Sequence, residues 1–168
     1  DHWKVLIPIS LSSEIKPIII SNQGKTLLKV PILDKEYRES KITINNTDLV
    51  SPPAEYLPRI KKESGLGKAA LSVVSDSYHS ALKMSLPLEG LKSSEFGVRR
   101  FINNEPRNRH TALDIAAVVG TKIMSPLSGK VLLVGDFYYR GKTVFLDHGG
   151  GMISTYSHLS EISVKEGQ

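Results

Sequence analysis

Short apolar runs separated by glycine, proline and polar turns recur along this 168-residue chain, and the pattern predicts a mainly β protein. Residues 3–9 and 25–30 are rich in Val, Leu and Ile, and residues 41–45 alternate isoleucine with polar positions. The Asn-Gln-Gly sequence at 22–24 lies between two apolar runs, which is typical of a hairpin turn. Two or three strands are too few for a stable sheet. We therefore expect residues 1–50 to be a partial β lead domain that belongs to a larger unit.

Over residues 51–85 the sequence pattern changes, and it predicts a helical connector. Ser51 followed by two prolines is typical of a helix start, with serine as the cap and proline in the first turn. Apolar residues then follow with partial helical spacing, which Gly65 and Gly67 interrupt. The pattern predicts two short helices.

From residue 86 to residue 168 the pattern returns to short strands. Predicted strands cover residues 130–134, 142–146 and 152–157, and glycine-containing loops lie between them. Regular short strands with turn signals between them favour an antiparallel sheet. We treat residues 86–168 as a third segment.

Composition narrows the class of protein. Lys and Arg number 22 against 17 Asp and Glu, a net charge of +5 that is spread along the chain. Only four arginines approach a cluster, namely Arg99, Arg100, Arg107 and Arg109. A nucleic-acid binder usually has a dense basic stripe with interleaved aromatic residues, so we expect no nucleic-acid partner, whereas attraction to an anionic polymer such as cell wall fits the charge.

Two further properties exclude whole classes of function. No apolar run approaches the length of a membrane span, so we expect no span in this chain. Cysteine is absent, which excludes disulfide scaffolds, zinc fingers, iron–sulfur sites and thiol catalysis. A cysteine-free chain is also compatible with an exported protein.

Histidines are the candidates for chemistry, and three of the five have an ordinary interpretation. His2 lies at a terminus and His79 in a polar connector, where a solvated surface histidine is expected. His148 precedes three glycines at a hairpin end, and we expect a structural role there. The glycines lack the spacing of a phosphate-binding loop.

His110 and Asp114 are four residues apart and form a possible half of a metal site. Ligands of one zinc ion must bring their donor atoms within ~3–4 Å of each other. Positions four apart on a straight strand lie ~13 Å apart, so such a site needs a bend that folds His110 back to an Asp114 at the mouth of a strand. The alternative is an exposed His110 and an Asp114 that caps a turn.

His158 directly follows the predicted strand at residues 152–157. Period-two alternation puts it on one face with Met152, Ser154 and Tyr156. A histidine there can carry a proton near neutral pH, although a histidine in such a place more often has only a hydrogen-bonded role.

Several blocks of sequence, taken in order, resemble the lysostaphin-type (LytM) zinc endopeptidases that cut peptidoglycan. The blocks are residues 93–101, 105–117, 120–121, 125–131, 143–149 and 155–160. The resemblance covers about residues 86–168 and implies a LytM-like peptidase domain. The upstream part is similar to the Ig-like lead domain of a Gram-negative branch of that family.

The resemblance implies a role for each of three residues. His110 and Asp114 match the first metal-ligand motif and would hold Zn²⁺. His158 matches the catalytic histidine that does not bind the metal. The implied substrate is the peptide cross-links of peptidoglycan, of the D-Ala–diaminopimelate type if the Gram-negative likeness holds, and the implied location is the periplasm or cell envelope.

The family's third zinc ligand comes from a His-x-His motif, which by the family pattern lies roughly thirty residues past His158. The sequence ends at Gln168, and residues 1–50 are short of the ~100 residues of an Ig-like sandwich. We therefore expect a fragment that binds zinc poorly and lacks activity alone, unless a second chain completes it.

Two alternatives remain open on the sequence. One is a non-catalytic LytM-like module that binds peptidoglycan or activates a separate amidase. The other is a wall-binding β domain in which the His and Asp are coincidental. Whether an upstream segment covers the metal site also stays open.

Overall fold

The computed structural model describes residues 6–45, 48, 50–76 and 83–168. Within them lie the 3₁₀ helix Ala54–Tyr56, the helix α1 Leu57–Leu71, and the strands β1 Ile18–Asn22, β2 Lys25–Val30, β3 Glu39–Ile42, β4 Leu91–Ser94, β5 Arg99–Ile102, β6 Glu105–Arg107, β7 Asp114–Ala116, β8 Lys130–Phe137, β9 Gly141–Asp147 and β10 Ile153–Leu159. The sheets are β1–β2, β3–β5–β6, β4–β7 and β8–β9–β10. Among these strands only β3 and β5 pair in parallel. The predicted mainly β, antiparallel fold is confirmed.

The chain divides into two compact units, each made of two segments. Unit 1 comprises Asp1–Ile42 and Glu95–Leu113, and unit 2 comprises Thr43–Ser94 and Asp114–Gln168. These bounds differ from the three segments expected from the sequence, residues 1–50, 51–85 and 86–168. The assignment of an Ig-like lead domain stays a prediction.

In unit 1, the hairpin at residues 22–24 is confirmed. Gln23 and Gly24 both have positive φ, 48° and 79°, as a two-residue hairpin turn of the primed type requires. Strand β2 has the predicted bounds. Three apolar side chains of the hairpin stay more than half exposed, namely Ile19, Leu27 and Leu28.

In the other sheet of unit 1, the first strand differs in its bounds from the predicted one. Strand β3 covers residues 39–42 rather than 41–45 and pairs with β5. Glu39 joins the two strands by contacting Arg99 of β5 at 3.0 Å, and it also contacts Lys41 of its own strand at 3.1 Å. Of the predicted strand at 3–9, residues 6–9 are not in a strand; its remaining residues, like His2 and His79, lie outside the described residues.

In unit 2, the predicted pair of short helices is one continuous helix. α1 begins at Leu57, with Pro58 in its first turn, and runs through Gly65 and Gly67. Each glycine weakens a helix by about 1 kcal/mol, so packing must compensate. The helix packs against the sheet at this point, since a Cβ added at Gly67 would lie 3.7 Å from Cζ of the Phe145 ring. No helix in the described ranges combines the length and apolar character needed to cross a bilayer.

The sheet β8–β9–β10 carries the core of unit 2. All three strands were predicted, and each is longer than the pattern indicated. Phe137 and Phe145 pack edge to face, 6.1 Å between ring centroids, and Ala70 of α1 joins them. This cluster defines the helix-side face of the sheet.

A polar clamp fixes α1 to the end of β8. Glu63 accepts a hydrogen bond from Arg59 Nε at 2.6 Å and another from the backbone N–H of Tyr138 at 2.7 Å. Arg59 also donates to the backbone carbonyl of Asp136 at 2.9 Å. These charge-assisted bonds keep the helix in register with the sheet.

Candidate active site

His110 is built into unit 1 by its backbone and by its ring. Its N–H donates to the Val98 carbonyl at 2.9 Å, and its own carbonyl accepts from the Gly97 N–H at 2.7 Å. The side chain is 5% exposed, and Nδ1 lies 2.9 Å from the Glu95 carbonyl oxygen. Because a carbonyl only accepts, Nδ1 carries the proton in this bond, which leaves Nε2 as the ring atom suited to a metal.

A glycine makes this arrangement possible. Gly97 has φ +89°, in the left-handed region, and the Tyr37 ring lies where a Cβ would project. Arg109 also contacts that ring, with its guanidinium carbon 5.4 Å from the Tyr37 centroid. Gly97, which bonds the His110 carbonyl, and Arg109, which precedes His110, are therefore both held against Tyr37.

Asp114 is the first residue of β7 in unit 2, which agrees with its predicted position at the start of a strand. It is exposed and lies opposite Ser94 of β4, next to a register shift between Lys92 and Ser94. Its backbone carbonyl accepts from the Ser93 hydroxyl at 3.4 Å. The pairing holds the backbone at Asp114 in place.

His158 lies near the end of β10 but leaves the predicted alternation. The register with β9 shifts between Tyr156 and Leu159, and His158 has φ +60°. Its N–H donates to the Arg140 carbonyl at 2.9 Å, and the residue is exposed. This bulge re-aims the histidine, so Tyr156 and His158 do not follow simple period-two geometry.

His148 is buried, 1% exposed, and its ring is bonded on both sides. Nδ1 lies 3.0 Å from the Ser128 carbonyl oxygen, and Nε2 lies 2.7 Å from Ser154 Oγ. The three following glycines all have positive φ, 88°, 61° and 79°. They form the β9–β10 turn, which Asp147 closes by accepting from the Gly149 N–H at 2.8 Å.

Tyr156 is half-buried on the face of the sheet opposite α1. Its cross-strand partner is Val144, one position from the helix-side Phe145. Burial raises the pKa of the Tyr156 phenol above its usual value of 10, and hydrogen bonding with Ser154 and Ser125 acts in the opposite direction. The phenol therefore stays protonated at neutral pH.

The structure thus places the predicted residues in two units. His110 lies in unit 1, whereas Asp114 and His158 lie in unit 2. Over the described part of the chain, no three or more His, Cys, Asp or Glu side chains form a group able to hold a metal. The shared-ligand geometry of His110 and Asp114 stays a prediction. Sequence reasoning missed the Glu95 carbonyl that orients His110, and no side-chain pattern marks a backbone acceptor.

Comparison with known proteins agrees with this β-rich architecture. Residues 108–168 match the model of peptidase family M23. The chain is 36% identical over 59 residues to the peptidoglycan DD-endopeptidase ShyA of Vibrio cholerae. It is 32% identical over 84 residues to the cell division protein DipM of Caulobacter vibrioides. The matches cover 35% and 49% of this chain, but only 14% and 13% of those proteins.

A solved structure gives a longer match. A crystal structure described as a candidate M23 peptidase from Pseudomonas aeruginosa superposes with a TM-score of 0.71 at 33% identity, over 96% of this chain and 60% of that one. The fold is that of an M23-type peptidase. The resemblance to the LytM-type endopeptidases is confirmed by the match of residues 108–168 to peptidase family M23 and by this structural match.

Proposed function

We propose that the protein carrying this chain is a zinc-dependent endopeptidase that hydrolyses peptide cross-links of peptidoglycan. One observation carries the proposal: the segment that matches peptidase family M23, residues 108–168, contains His110, Asp114 and His158 together. A wall-binding domain with a coincidental His and Asp would not be expected to match a peptidase family over this segment.

The ring geometry of His110 supports a metal role. Metal-binding histidines usually donate the second ring N–H to a carbonyl or carboxylate, which fixes the tautomer and the ring direction. His110 has this arrangement with Glu95, and an imidazole with a carboxylate is a donor set that suits zinc. His110 Nε2 and the Asp114 carboxylate would hold the ion.

When bound, Zn²⁺ supplies Lewis-acid polarisation of the scissile carbonyl and lowers the pKa of a coordinated water toward neutrality. The chain's own residues orient the site. Glu95 holds the His110 ring, and the β4–β7 pairing holds Asp114. His158, exposed and re-aimed by the β10 bulge, takes or returns the proton at its imidazole.

Substrate and location follow from the same proposal. The match to a protein named as a peptidoglycan DD-endopeptidase supports peptidoglycan peptides as the substrate class. Peptidoglycan lies outside the cytoplasmic membrane, so we propose the periplasm or cell envelope as the location. The net charge of +5 favours contact with an anionic wall.

The test is hydrolysis of purified cross-linked muropeptides by the full-length protein, followed by mass spectrometry of the products. We expect cleavage with zinc, no cleavage after chelation, and recovery on zinc addition. Asp114→Asn should lose zinc and activity, whereas Asp34→Asn, the same change at an exposed aspartate that bonds the adjacent Lys35 N–H, should retain both.

Zinc-loaded full-length protein that leaves cross-linked muropeptides intact would overturn the proposal. If that inactive protein still stimulates a cell-wall amidase, the alternative of a non-catalytic activating module replaces it.

A further inference from the structure

Two arginines of unit 1 that the proposed hydrolysis does not use lie side by side on one sheet. Strands β5 and β6 pair with Arg100 directly opposite Arg107. Residues opposite each other on neighbouring strands share one face of the sheet, with Cβ atoms about 4.5–5.5 Å apart. The two guanidinium groups can therefore contact the same ligand.

Neither of these arginines has an acidic partner. In the described residues, the basic side chains that form ion pairs are Lys16, Lys41, Arg59 and Arg99. Arg99 precedes Arg100 on β5, so it lies on the other face of the sheet, where it contacts Glu39 at 3.0 Å. Like charges directly opposite each other destabilise a sheet, so the opposed arginines carry a cost that nothing in the described residues offsets.

The surroundings of the pair indicate which anion it suits. Ser40 of β3 pairs with Arg100, which puts a hydroxyl on the same face in the same row. The next row on that face holds Ile42, Ile102 and Glu105, and Ile42 is 50% exposed. An anion that is part of an amino acid can use the apolar neighbour, whereas inorganic phosphate cannot.

We propose that Arg100 and Arg107 together bind a free carboxylate of the peptide substrate. Each arginine presents a planar fork of N–H donors that matches a carboxylate, and the bound anion offsets the repulsion between the two cations. Cross-linked muropeptides carry such free carboxylates.

The pair also lies close in the chain to the proposed zinc ligand. Arg107 precedes His110 by three residues, and both belong to unit 1, so their Cα atoms are at most about 11 Å apart. A peptide of a few residues can span that distance. The inference rests on the proposed peptidase function and names the chemical group of the substrate that this surface recognises.

The first experiment measures binding separately from hydrolysis. Zinc-loaded, full-length protein is titrated calorimetrically with uncross-linked muropeptide, either with its free carboxylates or with those carboxylates amidated. Wild type should bind the free form at least about tenfold more tightly, the effect of a charge-assisted hydrogen bond. Arg100→Gln and Arg107→Gln should each bind the free form about tenfold more weakly than wild type and the amidated form equally well. Arg38→Gln removes the same charge at an exposed arginine of unit 1 and should behave as wild type.

The second experiment follows hydrolysis of cross-linked muropeptides in the same two forms. With free carboxylates, Arg107→Gln should raise KM about tenfold and leave kcat unchanged, because a contact remote from the scissile bond is made equally in the ground state and the transition state. With amidated carboxylates, wild type and Arg107→Gln should have the same KM.

Thermal unfolding without peptide separates a binding role from a structural one. Removing one of two opposed like charges relieves their repulsion, so Arg100→Gln and Arg107→Gln should each raise Tm by about 1–5 °C at low salt. The rise should shrink at high salt, which screens exposed charges. A fall in Tm of several degrees would make the arginine a structural residue and overturn the inference.

The remaining outcomes distinguish this inference from the proposed function. Equal affinity of wild type for the free and amidated forms, or an arginine variant that keeps the preference, overturns the inference and leaves the peptidase function standing. A wild type that cleaves no cross-link but prefers the free form overturns the peptidase function and leaves the carboxylate site. If Arg100→Gln weakens binding of a single-stranded oligonucleotide but not of muropeptide, the pair belongs to a nucleic-acid site and the inference is wrong.

Discussion

Two buried histidines, in different units, each have one ring nitrogen bonded to a backbone carbonyl, and we propose different roles for the second ring nitrogen of each. His110 is 5% exposed and donates from Nδ1 to the Glu95 carbonyl; His148 is 1% exposed and donates from Nδ1 to the Ser128 carbonyl. At His148, Nε2 is bonded to a serine hydroxyl at 2.7 Å. At His110, we assign Nε2 to a metal.

Burial and a fixed tautomer therefore do not by themselves distinguish the proposed metal ligand from a histidine that is hydrogen-bonded at both ring nitrogens. A carbonyl on one ring nitrogen fixes the ring in both cases. The partner of the other nitrogen decides the function.

The largest effect is expected when the same substitution is made at each histidine. Asparagine keeps a donor for the backbone carbonyl and deletes Nε2, so His110→Asn should lower zinc-supported hydrolysis by at least about 100-fold, more than His148→Asn. Both should unfold within about 1–2 kcal/mol of wild type, since one bond is kept. Hydrolysis rates and denaturant unfolding measure this, and equal losses of activity would remove the distinction between the two histidines.

The packing of α1 against the sheet provides the next test. Phe145 is 1% exposed and lies on the helix-side face of β9, so Phe145→Ala should lower the free energy of unfolding by about 3–5 kcal/mol. Leu27→Ala, at a 62% exposed position of β2, is the control and should change it by less than about 0.5 kcal/mol. A small effect at Phe145, seen in urea unfolding, would contradict the packed sheet that supports His148.

A smaller effect is expected at the glycine beside the His148 ring. A Cβ at Gly129 would lie 2.5 Å from the Asp147 carbonyl oxygen and 2.8 Å from His148 Nδ1, so Gly129→Ala should cost about 1–3 kcal/mol. At Gly65 of α1, an added Cβ meets nothing within 4 Å, and Gly65→Ala should instead stabilise by about 0.5–1 kcal/mol. Thermal unfolding of both variants checks the signs; a neutral Gly129→Ala would mean that the ring is loosely held.

The smallest effect is expected from the titration of the Tyr156 phenol at alkaline pH. Because the pKa of Tyr156 is raised in the folded state, the folded protein holds this proton more tightly than the unfolded chain. Stability from this group is complete below the unfolded pKa of about 10 and is lost as pH rises above it. Tyr156→Phe should make the fall in stability above that pH shallower, and an unchanged pH profile would contradict the cause assigned here.

The sequence predicted the fold where local patterns determine it. The hairpin at residues 22–24 and the three strands of the β8–β10 sheet follow from alternation and turn residues alone. The helix α1 was predicted as two pieces, because the sequence shows the cost of Gly65 and Gly67 but not the Phe145 ring that packs beside one of them.

The candidate site was only partly predictable. His110, Asp114 and His158 were singled out by residue type and by resemblance, and the family match covers all three. The β10 bulge that re-aims His158 and the carbonyls that orient both buried histidines are backbone features, so the side-chain pattern could not show them. The polar face shared by Ser154 and Tyr156 was visible as alternation, but its link to His148 depends on the turn at residues 149–151.

The central claim is that His110 and Asp114 hold one zinc ion in a peptidase. Anomalous diffraction at the zinc absorption edge from crystals of the zinc-loaded, full-length protein tests it most directly. We expect one strong peak about 2 Å from His110 Nε2 and from an Asp114 carboxylate oxygen. A protein that cleaves muropeptides while showing no zinc between these two side chains would contradict it.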